Sequence, residues 1–505
     1  MKRVKILIAS LILAASFTSC SDFLSEIPDN RTQLDSSVKI GELLVTAYPQ
    51  YGYPSFTELM SDNVWDCGDE TMTIDYHLSE FKWELEERIS QDSPSAYWDG
   101  CYKAIAAANE ALDAIDKLGN DDGKLNALRG EALMARAYAH HMLVQLWSKA
   151  YNPATAASDV GIPYVNKPER KLIQEYSRGT VQEVYANIEK DLLEGLPLLT
   201  DNYKQPKFHF NRTAGHAFAS RFYLTMGNFE KVLEHSEYLA ANPSAFIRDY
   251  AEFNAINLNA KFQQYSRPSV RTNLLLTTAV SSYNRYNRYS RFWLTGADEG
   301  IIMGATIQSQ GIINSKNPWN KWWLYDSGSF NGQKTMVYPK LGEYFRLDDP
   351  SAGTGLPFVN FVLLSNDEVY LNRLEALVMT NRVQEAVDGL NFFLAARTEG
   401  YVASSDKKVD IAKLKALYPA EEGYLTPAFE MTNEQAIVMN AILEAKRREF
   451  IQEGQRWFDV KRFNIVVTHE FVSGEKLVLG KDDPRRQLPL PLHVTAAGIP
   501  DNPRN

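Results

Sequence analysis

The stretch Leu128-Arg129-Gly130-Glu131-Ala132-Leu133-Met134-Ala135-Arg136-Ala137-Tyr138-Ala139-His140-His141-Met142-Leu143-Val144-Gln145-Leu146 decides the fold class. From Leu128 its apolar positions Ala132, Ala135, Ala139, Met142 and Leu146 step by 4, 3, 4, 3 and 4, which is one face of an α-helix. Residues 95–118 upstream are also helical in pattern, and the breaker run Gly119 to Gly123 separates the two, so together they predict a helical hairpin. A second pair follows. Val181, Val184, Ile188 and Leu192 form one stripe, and residues 213–226 and 230–240 form two more helices joined at Gly227-Asn228. The third pair is 367–379 and 383–397, where Val383, Ala386, Leu390 and Phe393 step by 3, 4 and 3. A last helix is expected over 433–454, ending at Gly454 as a C-terminal glycine.

These hairpins, with small residues at the crossings and Met226-Gly227-Asn228-Phe229-Glu230-Lys231 at one turn, resemble degenerate tetratricopeptide repeats. The expected fold is mainly α: a helix-pair scaffold over about 95–241 and 366–463, interrupted by loop-rich insertions at about 21–92, 242–366 and 400–432. Residues 273–280 read as a short strand within the middle insertion. In repeat scaffolds function is carried by such insertions.

The 505 residues are 45% hydrophobic and 23% charged, which excludes a disordered, collagen-like or disulfide-framework chain. The net charge of -10 argues against nucleic acid as a dominant partner, because that affinity comes from Lys and Arg neutralising phosphates. Three cysteines cannot build a zinc ribbon. No GxSxG, HExxH, GxGxxG, P-loop or CxxC occurs, and His140 and His141 are adjacent and therefore on different helix faces. An enzyme is unsupported.

Lys2, Arg3 and Lys5 precede an uncharged run, Ile6 to Phe17, too short to span a bilayer, so residues 1–19 read as a signal peptide. Thr18 and Ser19 lead into Cys20, which resembles the lipobox of bacterial lipoproteins; the resemblance implies a diacylglycerol on the Cys20 thiol and a fatty acid such as palmitate on its amine. Ordinary cleavage with Cys20 incidental is the alternative. Several acyl chains on one residue anchor firmly where one does not. Loss of residues 1–19 removes three positive charges and no negative ones, leaving -13. Cys67 and Cys101 would then lie where a disulfide can form, and free thiols are favoured.

A family resemblance rests on three places. The first is Leu128-Arg129-Gly130-Glu131-Ala132 through Tyr138, followed by Gly161-Ile162-Pro163-Tyr164. The second is Tyr370-Leu371-Asn372-Arg373-Leu374-Glu375-Ala376 with Leu390-Asn391 and Arg397. The third is Ile442-Leu443-Glu444-Ala445-Lys446-Arg447-Arg448-Glu449-Phe450 with Glu453-Gly454-Gln455-Arg456-Trp457-Phe458-Asp459-Val460-Lys461-Arg462. All three resemble the SusD-like (RagB/SusD) nutrient-uptake lipoproteins, and with the lipobox they run over nearly all of one domain, residues 20–505. Two departures are Gln455, where His is common, and the close Asn502-Pro503-Arg504-Asn505. The mixed charges of Glu444, Arg447, Arg448, Glu449, Glu453 and Arg456, with Trp457 and Phe458 beneath them, read physically as a network fixing a helix end against the scaffold, not as an acid–base pair.

The resemblance implies binding without turnover: a lipid-anchored protein on the outer face of the outer membrane that captures oligosaccharides for a SusC-like TonB-dependent transporter. Asp22 is compatible with the surface-export signal of such lipoproteins. Two other readings stay open, a RagB-type lipoprotein that captures peptides and a tetratricopeptide-like envelope adaptor.

Thirteen Phe, Tyr or Trp residues lie among the 63 from Tyr283 to Phe345, well above the 12% of the whole chain. Sugars stack their C–H faces on rings while Asn, Asp and Arg bond their hydroxyls, so the expected ligand site is Trp319, Asn320, Trp322, Trp323 and Tyr325. A second strip, Tyr283 to Trp293, interleaves rings with arginines and contributes Tyr283 and Trp293; the first insertion contributes Asn63, Trp65, Asp66 and Trp83. Trp98, Trp147 and Trp457 fall in scaffold segments and read as structural. No cofactor is expected, although Asp62, Asp66, Asp69 and Glu70 could also hold a structural Ca²⁺, without EF-hand spacing.

Overall fold

The computed structural model describes residues 33–69, 71–84, 87–120, 122–171, 174–240, 247–296, 302, 327–330, 334–404, 408–419 and 421–504. The expected Cys20, Trp319, Asn320, Trp322, Trp323 and Tyr325 lie outside the described residues.

Helices carry the fold, and several start at a side chain that satisfies an open amide. In chain order they are α1 (Ser37–Leu44), α2 (Pro54–Leu59), α3 (Asp75–Phe81), α4 (Pro94–Leu118), α5 (Asn126–Trp147), α6 (Val181–Gly195), α7 (Arg212–Met226) and α8 (Phe229–Ala240). There follow α9 (Tyr250–Asn254), α10 (Leu258–Gln264), α11 (Tyr283–Tyr286), α12 (Asn366–Met379), α13 (Val383–Arg397), α14 (Ile411–Leu417), α15 (Asn433–Glu449), α16 (Arg456–Arg462) and α17 (Leu492–Ala496). Ser93 caps α4 with Pro94 in its first turn, and Thr180 with Glu183 and Thr432 with Gln435 form capping boxes on α6 and α15.

The expected pairs are the observed ones: α4 packs on α5, α5 on α6, α7 on α8, and α12 on α8, α13 and α15. From Gly130 onward α5 is buried on every side, as befits a central helix of a large core. Gly130 lets it approach α6, since a Cβ there would sit 2.9 Å from the Gly195 carbonyl oxygen. Trp98 and Trp147 meet edge to face at 5.0 Å in this core, and Trp457 is fully buried.

Strands are few: β1 (Trp65–Asp66), β2 (Asn273–Val280), β3 (Phe292–Trp293), β4 (Gly328–Phe330), β5 (Thr335–Val337), β6 (Glu343–Asp349), β7 (Thr354–Ser365), β8 (Val467–Glu470) and β9 (Lys476–Leu479). The larger sheet is antiparallel in the order β2-β7-β6; β1 pairs with β3, β4 with β5 and β8 with β9. The middle region is thus less irregular than its composition suggested.

Two sequence expectations need correction. The first insertion is not merely loop-rich: it carries α1, α2, α3 and β1, helices too short to display a periodicity. The helix expected to run to Gly454 stops at Glu449, and a turn with left-handed Gln452 (φ 63°) and Gly454 (φ 72°) leads into α16. Gly454 serves close approach instead of capping, because a Cβ would lie 2.1 Å from Thr57 Oγ1 and 2.7 Å from Pro54 Cα. Among the described residues no helix is long and apolar enough to cross a membrane.

Candidate ligand-binding surface

The 450–455 turn fastens three parts of the chain together. Its Gln452 and Gly454 amides donate to Glu58 of α2 at 2.8 and 3.1 Å, and Asn63 donates to the same carboxylate at 3.0 Å. The Gln452 carbonyl accepts from the Tyr283 hydroxyl at 2.7 Å, while its side chain bonds the Tyr338 amide and the Met336 carbonyl. Arg456 grips Asp62 through two bonds of 2.8 and 2.9 Å, and Arg447 donates to Asn63 at 2.8 Å. Burial alone would raise Asp62, but Arg447 and Arg456 outweigh it and hold the carboxyl well below the usual range. Burial pushes Glu58 up to about 7, against its three donors. The C-terminal charges are therefore architecture, as their sequence pattern implied.

This frame supports a buried ring column. Phe292 stacks on Phe81 at 4.4 Å, Phe81 on His469 at 4.0 Å, and His469 on Trp83 at 4.4 Å. His469 is fixed by the Phe81 and Ser61 carbonyls at 2.6 and 2.8 Å. Four residues expected at a ligand site belong to this interior. Trp83 is 2% exposed with its indole N–H on the Met60 carbonyl, and Trp293 is 1% exposed with its own on Met336. Tyr283 is 3% exposed and spends its hydroxyl on Gln452, and Asn63 is buried between Glu58 and Arg447. None presents a face to solvent.

Asp66 is also committed. Arg291 holds it bidentately at 2.6 and 2.7 Å, and it accepts from the Gly68 and Val472 amides. Burial opposes this, but the arginine bonds prevail and lower its pKa. Arg291 also pairs with Asp69. With Asp62, Asp66 and Asp69 in arginine pairs and Glu70 outside the described residues, the charge that a calcium ion would meet is met by guanidinium groups. Among the described residues no cluster of three or more His, Cys, Asp or Glu could hold a metal. Cys101 is a buried free thiol, and the Cys67 Sγ lies 3.6 Å from the Trp293 carbonyl.

The open part of the corner lies beyond the column. The strip over 283–293 is α11, a 3-10 turn at Asn287–Tyr289 and β3, so Tyr283 turns inward and Tyr286, three residues on, stays 42% exposed. Burial, against Arg88 and with smaller contributions from Glu80, Asp92 and Tyr286, pushes the Tyr76 hydroxyl of α3 up to about 12. The Arg88 guanidinium lies over the Tyr76 ring at 3.4 Å. Arg285 is held by Glu343 at 2.6 Å and lies 5.6 Å from the exposed Phe345 ring. Arg288 sits 5.2 Å from both Tyr289 and Phe330. Of the expected rings among the described residues, Trp65 alone remains half-buried, in β1 opposite Trp293.

The result is a surface of rings and arginines: apolar faces with donors beside them. It could stack a sugar or planar group and donate to its oxygens. The described ends around the tryptophan-rich segment are tied to the same corner, since Thr295 bridges Thr335 and the Met336 amide donates to Leu294 at 2.8 Å. The sequence pointed to the strip but not to Tyr286 within it. Tyr76, Arg88 and Phe345 carried no signal beyond an aromatic or basic residue near an insertion.

A family model described as SusD-like, starch-binding and associating with the outer membrane matches residues 22–224. A second, described as the SusD family, matches 277–485. The SusD-like protein P2 of Formosa agariphila is 28% identical over 154 residues, a match spanning 30% of this chain and 28% of that relative's length. The crystal structure of a SusD superfamily protein from Bacteroides thetaiotaomicron aligns with a TM-score of 0.64 at 17% identity, covering 94% of this chain and 100% of the other. That of a SusD-like carbohydrate binding protein from Bacteroides vulgatus aligns with a TM-score of 0.61 at 15% identity, covering 92% and 96%. At these identities the structural likeness is one of fold.

Proposed function

The chain belongs to the SusD-like family, and on that premise we propose that it is a non-catalytic, carbohydrate-binding lipoprotein of the outer membrane surface. It captures oligosaccharides and passes them to a SusC-like TonB-dependent transporter. Cys20 is its lipid anchor. The observation that carries the binding role is the pair of exposed rings Tyr286 and Phe345, with the Arg285 guanidinium 5.6 Å from the Phe345 ring. Neutral rings suit the C–H faces of pyranoses, and the guanidinium groups suit their hydroxyls. Glu343 is tied to Arg285, which fits a binding surface better than an acid–base pair.

Trp319, Trp322 and Trp323, with Asn320 and Tyr325, belong to this proposal on their composition alone. A glycan array screened with the wild-type chain and with Tyr286→Ala, Trp319→Ala, Trp322→Ala and Trp323→Ala tests it. The expected outcome is wild-type binding to a defined set of oligosaccharides, weakened by Tyr286→Ala and by at least one tryptophan change. Binding to a peptide library with no glycan retained would replace the sugar reading with peptide capture.

A further inference from the structure

A second concave region lies between α9, α10 and the loop that feeds β2. This groove has a volume of about 670 Å³ and shares no residue with the Tyr76–Tyr286 surface. Its lining is mostly polar, with Arg248, Phe253, Arg267, Arg271 and Thr272 prominent. Arg267 and Arg271 are exposed. Two carboxylates also line the groove. Asp249 is occupied in capping α9, accepting from the Ala251 and Glu252 amides at 2.9 and 3.2 Å, which leaves Glu252 as the opposing charge.

The loop is built to stay put. Lys207 donates to the Val270 and Arg271 carbonyls at 2.5 and 3.3 Å. Arg248 is locked by the Tyr265 carbonyl at 3.2 Å and by Asn273 at 2.7 Å. Burial, together with Arg248 and Arg271, brings Lys207 down to about 8, which reports a positive local field.

We propose that this groove binds an anionic saccharide unit, one bearing a carboxylate or a sulfate ester, with Arg267 and Arg271 gripping the charged oxygens. This rests on the carbohydrate reading above and adds a substrate class to it. Paired guanidinium groups are the side chains best matched to such planar or trigonal anions. The chain's overall charge of -10 repels an anion at long range, but at about 0.15 M salt the arginines dominate within about 8 Å.

Calorimetric titration of the full chain with a galacturonate tetramer, a sulfated galactose tetramer and a neutral galactose tetramer tests the proposal. At least one acidic tetramer is expected to bind more tightly than the neutral one, and the two acidic arms separate carboxylate from sulfate. Arg267→Gln with Arg271→Gln should weaken that binding about tenfold or more. Raising salt from about 50 to about 300 mM should weaken acidic binding in wild type and much less in the double arginine variant. Equal affinity in wild type and double variant, with matching thermal stability, overturns the groove. Failure of both acidic tetramers while glycans still bind through Tyr286 sinks this inference alone; failure of every saccharide sinks the carbohydrate reading with it.

Discussion

Trp83 and Tyr286 both lie in aromatic parts of the insertions, and the fold gives them opposite tasks. Trp83 sits in the ring column with left-handed backbone (φ 56°) and its N–H on Met60. Trp83→Ala should cost about 3–5 kcal/mol of stability, read from the denaturant midpoint. Tyr286→Ala should leave stability within about 0.5 kcal/mol and weaken oligosaccharide binding about five- to tenfold. At this scale the sequence was least legible. Aromatic density locates a region, but whether a ring points in or out depends on contacts such as Tyr283 to Gln452, distant in sequence. Glu58 offers a separate test. Its folded-state value of about 7 lies above the ordinary 4.5, so it contributes stability that is complete below about 4.5 and lost as pH rises through about 7. Urea unfolding of Glu58→Gln should therefore decline less over that window than wild type, and parallel profiles would exclude the effect.

At the level of elements, the scaffold helices were legible because burial of one face leaves a 3.6-residue stripe, and capping residues such as Thr180 and Thr432 mark their starts. What could not be read was where α15 ends. Its periodic pattern continues, but the amides of Gln452 and Gly454 are claimed by Glu58, nearly four hundred positions earlier. The short helix α2, buried at all six positions, shows no amphipathic pattern for the same reason: its partners surround it. Two changes probe this junction. Gly454→Ala meets Thr57 and forces a side chain into left-handed backbone, and should cost about 2–3 kcal/mol. Arg456→Leu leaves Asp62 buried beside Arg447 without its bidentate partner, and should cost about 3–5 kcal/mol. Both are measurable by chemical denaturation, and neither should alter the affinity of the material that remains folded.

For the whole molecule, composition bounded the answer early. An acidic chain with a leader-like start, helix pairs and aromatic insertions leaves little room for a nucleic-acid binder, and family membership agrees with the mainly α scaffold. The insertions and the C-terminal turn then set the binding corner, which no single segment specifies: α3, α11 and β6 each bring one or two side chains to it. Cys20→Ser should move the protein from the membrane fraction to the soluble one, because the proposed anchor is the acylated cysteine. The most direct test of the account is calorimetric titration of the best array-selected neutral oligosaccharide into wild type and into the double variant Tyr76→Ala with Tyr286→Ala. The account predicts saturable binding to wild type and a loss of about tenfold or more in the variant at unchanged melting temperature. Equal binding by both proteins would contradict it.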